Sequence, residues 1–324
     1  MLTYSVAIRT LGKAGDKFRR ELESVIKQTV QPEKVIAYIA EGYSRPDFQI
    51  DGEVYVPVKK GIIAQRALEY REIESDVILM LDDDIWLAPD TAELMLSAME
   101  SNQADAVGLD VFRNHELPLK SKVWAAVSNL VFPHRGNKWA FKIHKNGSFS
   151  YVNRPQKDFF WSQSCSGSAI MIKKEVIRKL QFDKEVWLDD LAYAYNEDTL
   201  LFYKIHKNGF KLGVLFHTEC LHLDAKTGQY KNRELVQKIR LRSKASFLIW
   251  HRAIYSPAKK IEKIFSTLSL SSKIVWLLAG HLLYSLIKLN PGIVWNYIKG
   301  LEEGFSFVYS EEYKRLAPYV FKKN

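Results

Sequence analysis

An α/β fold, with a mostly parallel central sheet and helices on both faces, is what this 324-residue sequence predicts, followed by a helical C-terminal region. Three observations predict it. Apolar runs of strand length alternate with segments of helical spacing from residue 5 to residue 112, the rhythm of βαβ units. One apolar run, Asp76-Val77-Ile78-Leu79-Met80, leads straight into Leu81-Asp82-Asp83-Asp84-Ile85-Trp86, so carboxylates stand at the carboxyl end of a buried strand, where open α/β sheets bind ligands. Composition then changes after residue 230, where basic residues precede a Trp- and Tyr-bearing apolar stretch.

The elements follow in order. Residues 5–10 form the first strand, and residues 18–28 place Phe18, Leu22, Val25 and Ile26 on one helical face. Residues 34–39 are the second strand and 54–58 a short third. A helix over 62–71, the fourth strand over 77–81, a helix over 91–99 opened by Pro89-Asp90, and the fifth strand over 106–112 complete the first half. Residues 139–151 pivot on Asn146-Gly147, the strongest two-residue hairpin signal. A strand over 168–172 feeds a helix over 174–180, then a helix spans 196–207 and a last strand 211–216. The chain divides into an α/β domain over 1–230 and a basic, amphipathic helical region over 231–324.

Composition excludes several classes. With 47% hydrophobic residues and no low-complexity run, the chain is not a disordered tail. Its two cysteines, Cys165 and Cys220, are too few for a disulfide framework and have no zinc-site spacing, so reducing cytosol is the expected compartment. The first strand starts almost at once, without the charged lead and apolar core of a signal peptide. A net charge of +10 calls for an anionic partner.

Three carboxylates within a few Å repel unless a cation or a donor-rich ligand neutralises them, and such hard oxygens suit Mg²⁺ or Mn²⁺ shared with nucleotide phosphates. A solvated turn capping the next helix is the plainer alternative. Asn196-Glu197-Asp198 opens a helix, where acids favour the dipole whatever else they do; a carboxylate there also suits a general base. Gln163-Ser164-Cys165-Ser166-Gly167-Ser168 is either a plain turn or a loop in which Gly167 lets backbone approach a ligand. Past the last strand, His217 and His222 are structural residues or a complement to the acidic site.

In this order, the pieces resemble the family-2 glycosyltransferases, which adopt the GT-A fold. The resemblance runs over residues 4–228. It aligns Leu81-Asp82-Asp83-Asp84 with the family's DxD strand end and Ser166-Gly167-Ser168 with its glycine loop. Glu197-Asp198 through Lys207-Asn208-Gly209 stands for its acidic pair and basic-x-Gly turn, and His222 for its late histidine. Glu23-Ser24-Val25-Ile26-Lys27-Gln28 and Gly61-Ile62-Ile63-Ala64-Gln65-Arg66 match two further segments. The resemblance implies an inverting transfer of a sugar from a nucleotide-diphosphate donor to a glycan or lipid-linked acceptor, in cell-surface polysaccharide synthesis. It implies Asp198 as base with Glu197 as its neighbour. Asp84, Asp82 and His222 become metal ligands for Mn²⁺ or Mg²⁺, and Thr10, Arg66, Asp82, Asp83 and Gly167 donor contacts. The triple aspartate leaves the DxD register open. Where the family has an acidic pair reading the nucleotide base, this chain has Glu41 alone. Trp161, Trp187 and Tyr195 are candidate acceptor-stacking residues or ordinary core and rim aromatics.

The C-terminal region carries ten basic residues against two acids over 231–263, then an apolar run over 274–287 bearing Trp276, His281 and Tyr284, with Trp295 and Tyr297 beyond. That run is short for a spanning helix, so an interfacial or re-entrant segment is expected. It would dock the protein peripherally on the anionic inner face of a membrane. Aromatic neighbours favour a membrane over nucleic acid. Packing of the apolar face on the α/β domain, or on a second copy in a homodimer, is the competing expectation. Two other classes compete with the glycosyltransferase: a sugar-phosphate nucleotidyltransferase, for which Leu11-Gly12-Lys13-Ala14-Gly15 is a poor phosphate loop, and a non-catalytic membrane-surface binder.

Overall fold

The structure is a computed structural model that describes residues 2–48, 50–111, 138–152, 155–191, 196–224 and 234–321. Eight strands form the central sheet in the order β3-β2-β1-β4-β10-β6-β11-β9. They are β1 (Tyr4–Thr10), β2 (Val35–Ala40), β3 (Glu53–Val58), β4 (Val77–Asp82), β6 (Ala106–Leu109), β9 (Phe159–Ser162), β10 (Ala169–Lys173) and β11 (Leu212–Leu215). The first four run parallel; β10 is antiparallel to β4 and β6, and β9 to β11. Two short ribbons lie outside it: β5 (Ile85–Trp86) with β12 (Leu221–His222), and the hairpin β7 (Phe141–Ile143) with β8 (Phe149–Tyr151).

Burial on both faces explains why β2, and β4 up to Leu81, read as unbroken apolar runs. Along β4, Val77, Leu79 and Leu81 enter one core and Ile78 and Met80 the other, as a period of two requires. The first core is closed by helices α1 (Asp16–Val25) and α2 (Thr91–Asn102), through Phe18, Leu22, Met95 and Met99. On the other face lie α3 (Lys174–Leu180), α4 (Glu197–Lys207) and part of the C-terminal region.

Two expectations are corrected. Residues 62–71 form turns rather than a helix. The Asp189 carboxylate accepts from Ile63 N–H at 2.9 Å and Ala64 N–H at 2.8 Å, and Tyr70 at φ 49° breaks any continuation. The C-terminal apolar run belongs to a longer helix than its apolar residues mark. Helix α6 (Lys260–Lys288) has 29 residues, because the Ser-rich stretch before the run also takes up helix, and by length and composition it could cross a membrane.

The other C-terminal helices are α5 (Leu235–Trp250), α7 (Gly292–Val308) and the short α8 (Glu311–Lys314). Helices α5 and α7 pack closely because a Cβ at Gly300 would fall 2.1 Å from Arg240 O, so only glycine fits there. This region is bound to the α/β domain by a buried charge cluster. The Glu185 carboxylate receives Lys204 Nζ of α4 at 2.9 Å, Arg252 Nη2 at 2.8 Å and Trp187 Nε1 at 3.1 Å. Beyond α8, Phe321 N–H donates to Asn208 Oδ1 at 2.8 Å, and Tyr319 O–H bonds Leu200 O. The boundary expected at residue 230 lies outside the described residues.

Candidate functional site

The carboxyl ends of the parallel strands meet at one sheet edge, and the sheet register assembles the site there. Because β10 runs antiparallel to β4, its amino end meets the carboxyl end of β4: Ala169 pairs with Leu81 and Asp82 N–H donates to Ser168 O at 3.0 Å. The loop carrying Gly167 is thereby laid beside the acidic strand end. The neighbouring register pairs Arg9 of β1 with Asp82.

Arg66 is the hub. Its guanidinium is almost fully buried, with Nη1 3.3 Å from Glu197 Oε1 and 3.4 Å from Asp198 Oδ1, and Nη2 3.6 Å from Asp82 Oδ1. Asp82 also accepts from Arg9 Nε. Gly167 N–H donates to Asp198 Oδ2 at 3.0 Å, and a Cβ on Gly167 would fall 2.3 Å from Arg66 Nη2. The glycine is therefore required by close approach. These contacts join residues up to 132 positions apart in the chain.

The electrostatics separate the carboxylates. Burial pushes Asp198 up, but Arg66, a hydrogen bond from Glu197 and the Gly167 N–H hold it below the usual range. Its neighbour Glu197 goes the other way, raised well above by burial and by the Asp198 charge. Within the pair Asp198, 32% exposed on its side chain, is thus the one held toward its charged form and Glu197 the one held toward its neutral form. Asp82 lies below its ordinary value because Arg9 and then Arg66 outweigh its burial. Asp83 is raised to about 6, chiefly by burial, and accepts from Thr10 Oγ1 at 2.6 Å. The three aspartates therefore have different partners: Asp82 the arginines, Asp83 the end of β1, and Asp84 the β12 strand.

Asp84 is buried, and β12 brings His222 Nε2 to 3.5 Å from its Oδ1. Leu223 N–H donates to Asp84 O at 2.8 Å, which fixes the ribbon. His222 Nδ1 accepts from Asp224 N–H at 3.2 Å, which puts the ring proton on Nε2; for Nε2 to ligate a cation, the proton would have to move to Nδ1 and that hydrogen bond be given up. A carboxylate oxygen and an imidazole at this separation fit Mn²⁺ or Mg²⁺. Among the described residues no three His, Cys, Asp or Glu side chains form a ready-made cage. The pair fits a cation that completes its shell with phosphate oxygens and water, as Mg²⁺ usually does.

With this geometry in hand, the sequence model of glycosyl transferase family 2 matches residues 16–181, half of the chain. The chain belongs to this family. Among solved structures it is similar to that of GalNAc-T7 with UDP, GalNAc and Mn²⁺, at 14% identity and a TM-score of 0.49, over 90% of this chain and 59% of that one. No curated protein matches it.

The family-2 chain brings together Thr10, Arg66, Gly167, Glu197, Asp198 and the three aspartates, with His222 beside Asp84. Glu41 stands exposed just past β2. Of the remaining positions, Trp187 and Trp161 stand away from the carboxylates. His217 is outside β11, at φ 58°, and pairs with Asp158 at 2.7 Å. Trp187 is buried, stacked on Phe307 at 5.7 Å with its edge to Tyr313, so its faces are closed to an acceptor sugar. Trp161 sits on edge strand β9, four strands from β4 or roughly 19 Å at the usual strand spacing, apart from the carboxylates. Tyr195 lies outside the described residues.

Five residues were not named as site residues in the sequence reading. Arg9 is the one charged residue of the buried strand β1, which was its signal. Glu21 lies on the apolar face of α1 between Phe18 and Val25; buried, and next to the Asp83 charge, it is raised well above the carboxylate range. Asp189 caps the Arg66 turn and had no signal. Lys13 and Lys60 flank the Tyr43 ring at 4.7 and 5.0 Å, a cationic rim beyond the ends of β2 and β3.

Proposed function

We propose that this chain is an inverting, metal-dependent glycosyltransferase that moves a sugar from a nucleotide-diphosphate donor to a hydroxyl of a glycan or lipid-linked acceptor in cell-surface polysaccharide synthesis. The observation that carries this reading is the convergence of Asp82–Asp84, Arg66, Gly167 and Asp198 at one sheet edge. Asp198 takes the proton from the acceptor hydroxyl, on the side of the sugar opposite the leaving diphosphate. Arg66 and the Gly167 N–H fix its orientation, while protonated Glu197 donates to it and adds no charge. A divalent cation, held by Asp84 and His222, would neutralise the leaving nucleoside diphosphate. Lys13 and Lys60 add positive charge for an anionic donor.

Peripheral docking on an anionic inner membrane face is supported by the C-terminal helices. Val275, Trp276, Leu283, Leu286 and Ile287 of α6 and Trp295 of α7 are exposed, with Lys288 and Lys299 over Tyr284 and Trp295. Such an aromatic and basic rim suits the headgroup layer. Buried Ser266, Lys273 and Ser285 on the opposite side of α6 favour lying along the surface over spanning it. Sedimentation with anionic liposomes should pull the protein down at low salt and release it at high salt; protein that stays in the supernatant at low salt refutes the docking.

Incubation with UDP-, GDP- and dTDP-sugars and Mn²⁺ tests the chemistry. Release of nucleoside diphosphate is expected, whereas pyrophosphate release would identify a nucleotidyltransferase.

A further inference from the structure

A cavity of about 750 Å³ lies where the β7–β8 hairpin, the start of α4 and the C-terminal helices α5, α6 and α7 meet. Its size is that of a small-molecule site. Two of its wall residues, Asn196 and Thr199, bracket the Glu197-Asp198 pair. A second cavity of about 430 Å³, walled chiefly by Leu235, Leu283, Tyr284 and Ile287, shares Ile239, Leu277 and His281 with the first. The two cavities lie side by side across that shared wall, the second largely apolar and the first polar where Asn196 and Thr199 flank the catalytic pair in sequence.

The polar end has a definite sign. Lys273 projects from α6 with its side chain buried, and its Nζ reaches Asn146 O at 3.3 Å. Burial lowers it to about 8, which leaves it mostly protonated at pH 7. Arg242 lines the same wall, and among the described residues that line it none is acidic. A buried ammonium whose named protein partner is one long carbonyl contact is poorly compensated; an anion supplies what it lacks. Beside it, His281 donates from Nδ1 to Leu277 O at 2.6 Å and stacks on Tyr297 at 4.5 Å, so its Nε2 is left as an acceptor for a hydroxyl. The outer end opens among Leu283, Tyr284 and Ile287, all exposed.

We propose that the two cavities act as one passage and form the acceptor site, and that the acceptor is an amphipathic molecule with a phosphate-linked head against Lys273 and an alkyl chain in the outer groove. The inference rests on the glycosyltransferase reading for its link to Asp198, and adds to it the acceptor's chemical class and the residues that hold it. The acceptor hydroxyl then lies on the Asn196–Thr199 wall, next to the base, while the chain leaves between α5 and α6 toward the exposed apolar surface.

Dodecyl phosphate below its micelle concentration is the probe, titrated into the full chain and followed by tryptophan fluorescence and calorimetry. It should bind at least tenfold more tightly than inorganic phosphate or an uncharged dodecyl ether. Shortening the chain should weaken binding by roughly tenfold for each pair of methylenes removed. Lys273→Met, which keeps most of the stem and removes the charge, should weaken dodecyl phosphate at least tenfold and leave the uncharged ether unchanged. Leu277→Trp, which fills the junction of the two cavities, should also abolish binding, and it decides the question if Lys273→Met fails to fold. Equal affinity in wild type and the folded variants, or inorganic phosphate binding as tightly as dodecyl phosphate, overturns the proposal. Binding of UDP, GDP and dTDP with Mn²⁺ is measured on the same protein. Nucleotide binding without alkyl phosphate binding overturns the acceptor assignment alone. Lys273-dependent alkyl phosphate binding without nucleotide binding supports the cavity's ligand and overturns the glycosyltransferase reading.

Discussion

Removing the Glu185 carboxylate should loosen the C-terminal region from the α/β domain. Lys204 and Arg252 both point at it, with side chains 0% and 5% exposed. Glu185→Ala leaves two buried cations facing each other with no counter-charge, a change that costs about 3–5 kcal/mol when one partner of a buried pair is removed. Lys204 has an escape: it can lose its proton. Burial already lowers its pKa, against the pull of Glu185. From an ordinary value near 10.4, neutralising a lysine at pH 7 costs at most about 5 kcal/mol, so the two figures agree. The pH dependence has a definite sign. In the variant, folded Lys204 binds its proton less tightly than unfolded Lys204, so the unfolded state holds more protons and stability rises with pH. The deficit should be largest near pH 6–7 and shrink towards pH 9–10. Urea unfolding followed by circular dichroism, with limited proteolysis around residues 251–260, reads both quantities. A loss under 1 kcal/mol, or a deficit that grows with pH, would refute the reasoning.

Gly167→Ala should cost activity out of proportion to stability. The new methyl meets Arg66 Nη2 at 2.3 Å in a site too buried for the guanidinium to retreat, and misplacing the base should lower kcat/KM about 10²-fold; wild-type kinetics would contradict the close approach. Asp189→Asn should weaken the turn that carries Arg66, because a charged acceptor of two N–H groups becomes a neutral one. A loss of about 1–2 kcal/mol in urea melts is expected, with an undisturbed melt as the contrary result. Glu197→Gln keeps a donor beside Asp198 and should retain most activity, whereas Asp198→Asn should lose about 10²–10⁴-fold in single-turnover transfer. The reverse ranking would exchange their roles.

Much of this architecture was legible because it is local. Runs such as Val35–Ala40, and Val77–Asp82 up to Leu81, are apolar since both faces are buried, and Asn146-Gly147 turns the hairpin with Gly147 at φ 78°. The failures are non-local. The stretch 62–71 has helical spacing, but a carboxylate 126 residues away caps its N–H groups and holds it as turns. Strand β12 is two exposed residues paired with two others, and so short an element has no period to read. In the site, acid and glycine positions were visible in order along the chain, while the pairing of Arg66 with Asp82, Glu197 and Asp198 depends on sheet register. Trp187 misled for the same reason: its chemistry suits an acceptor platform, and its partners Phe307 and Tyr313 come from more than a hundred residues away.

The central claim is that Asp84 serves donor binding through a cation while Asp198 serves proton removal. Calorimetric binding of the active nucleotide's diphosphate with and without Mn²⁺, run on Asp84→Asn and Asp198→Asn beside the wild type, separates the two most directly. The expected result is Mn²⁺-dependent binding in wild type and in Asp198→Asn, and its loss in Asp84→Asn with the fold intact. Undiminished Mn²⁺-dependent binding in a folded Asp84→Asn protein, or its loss only in Asp198→Asn, would contradict the assignment.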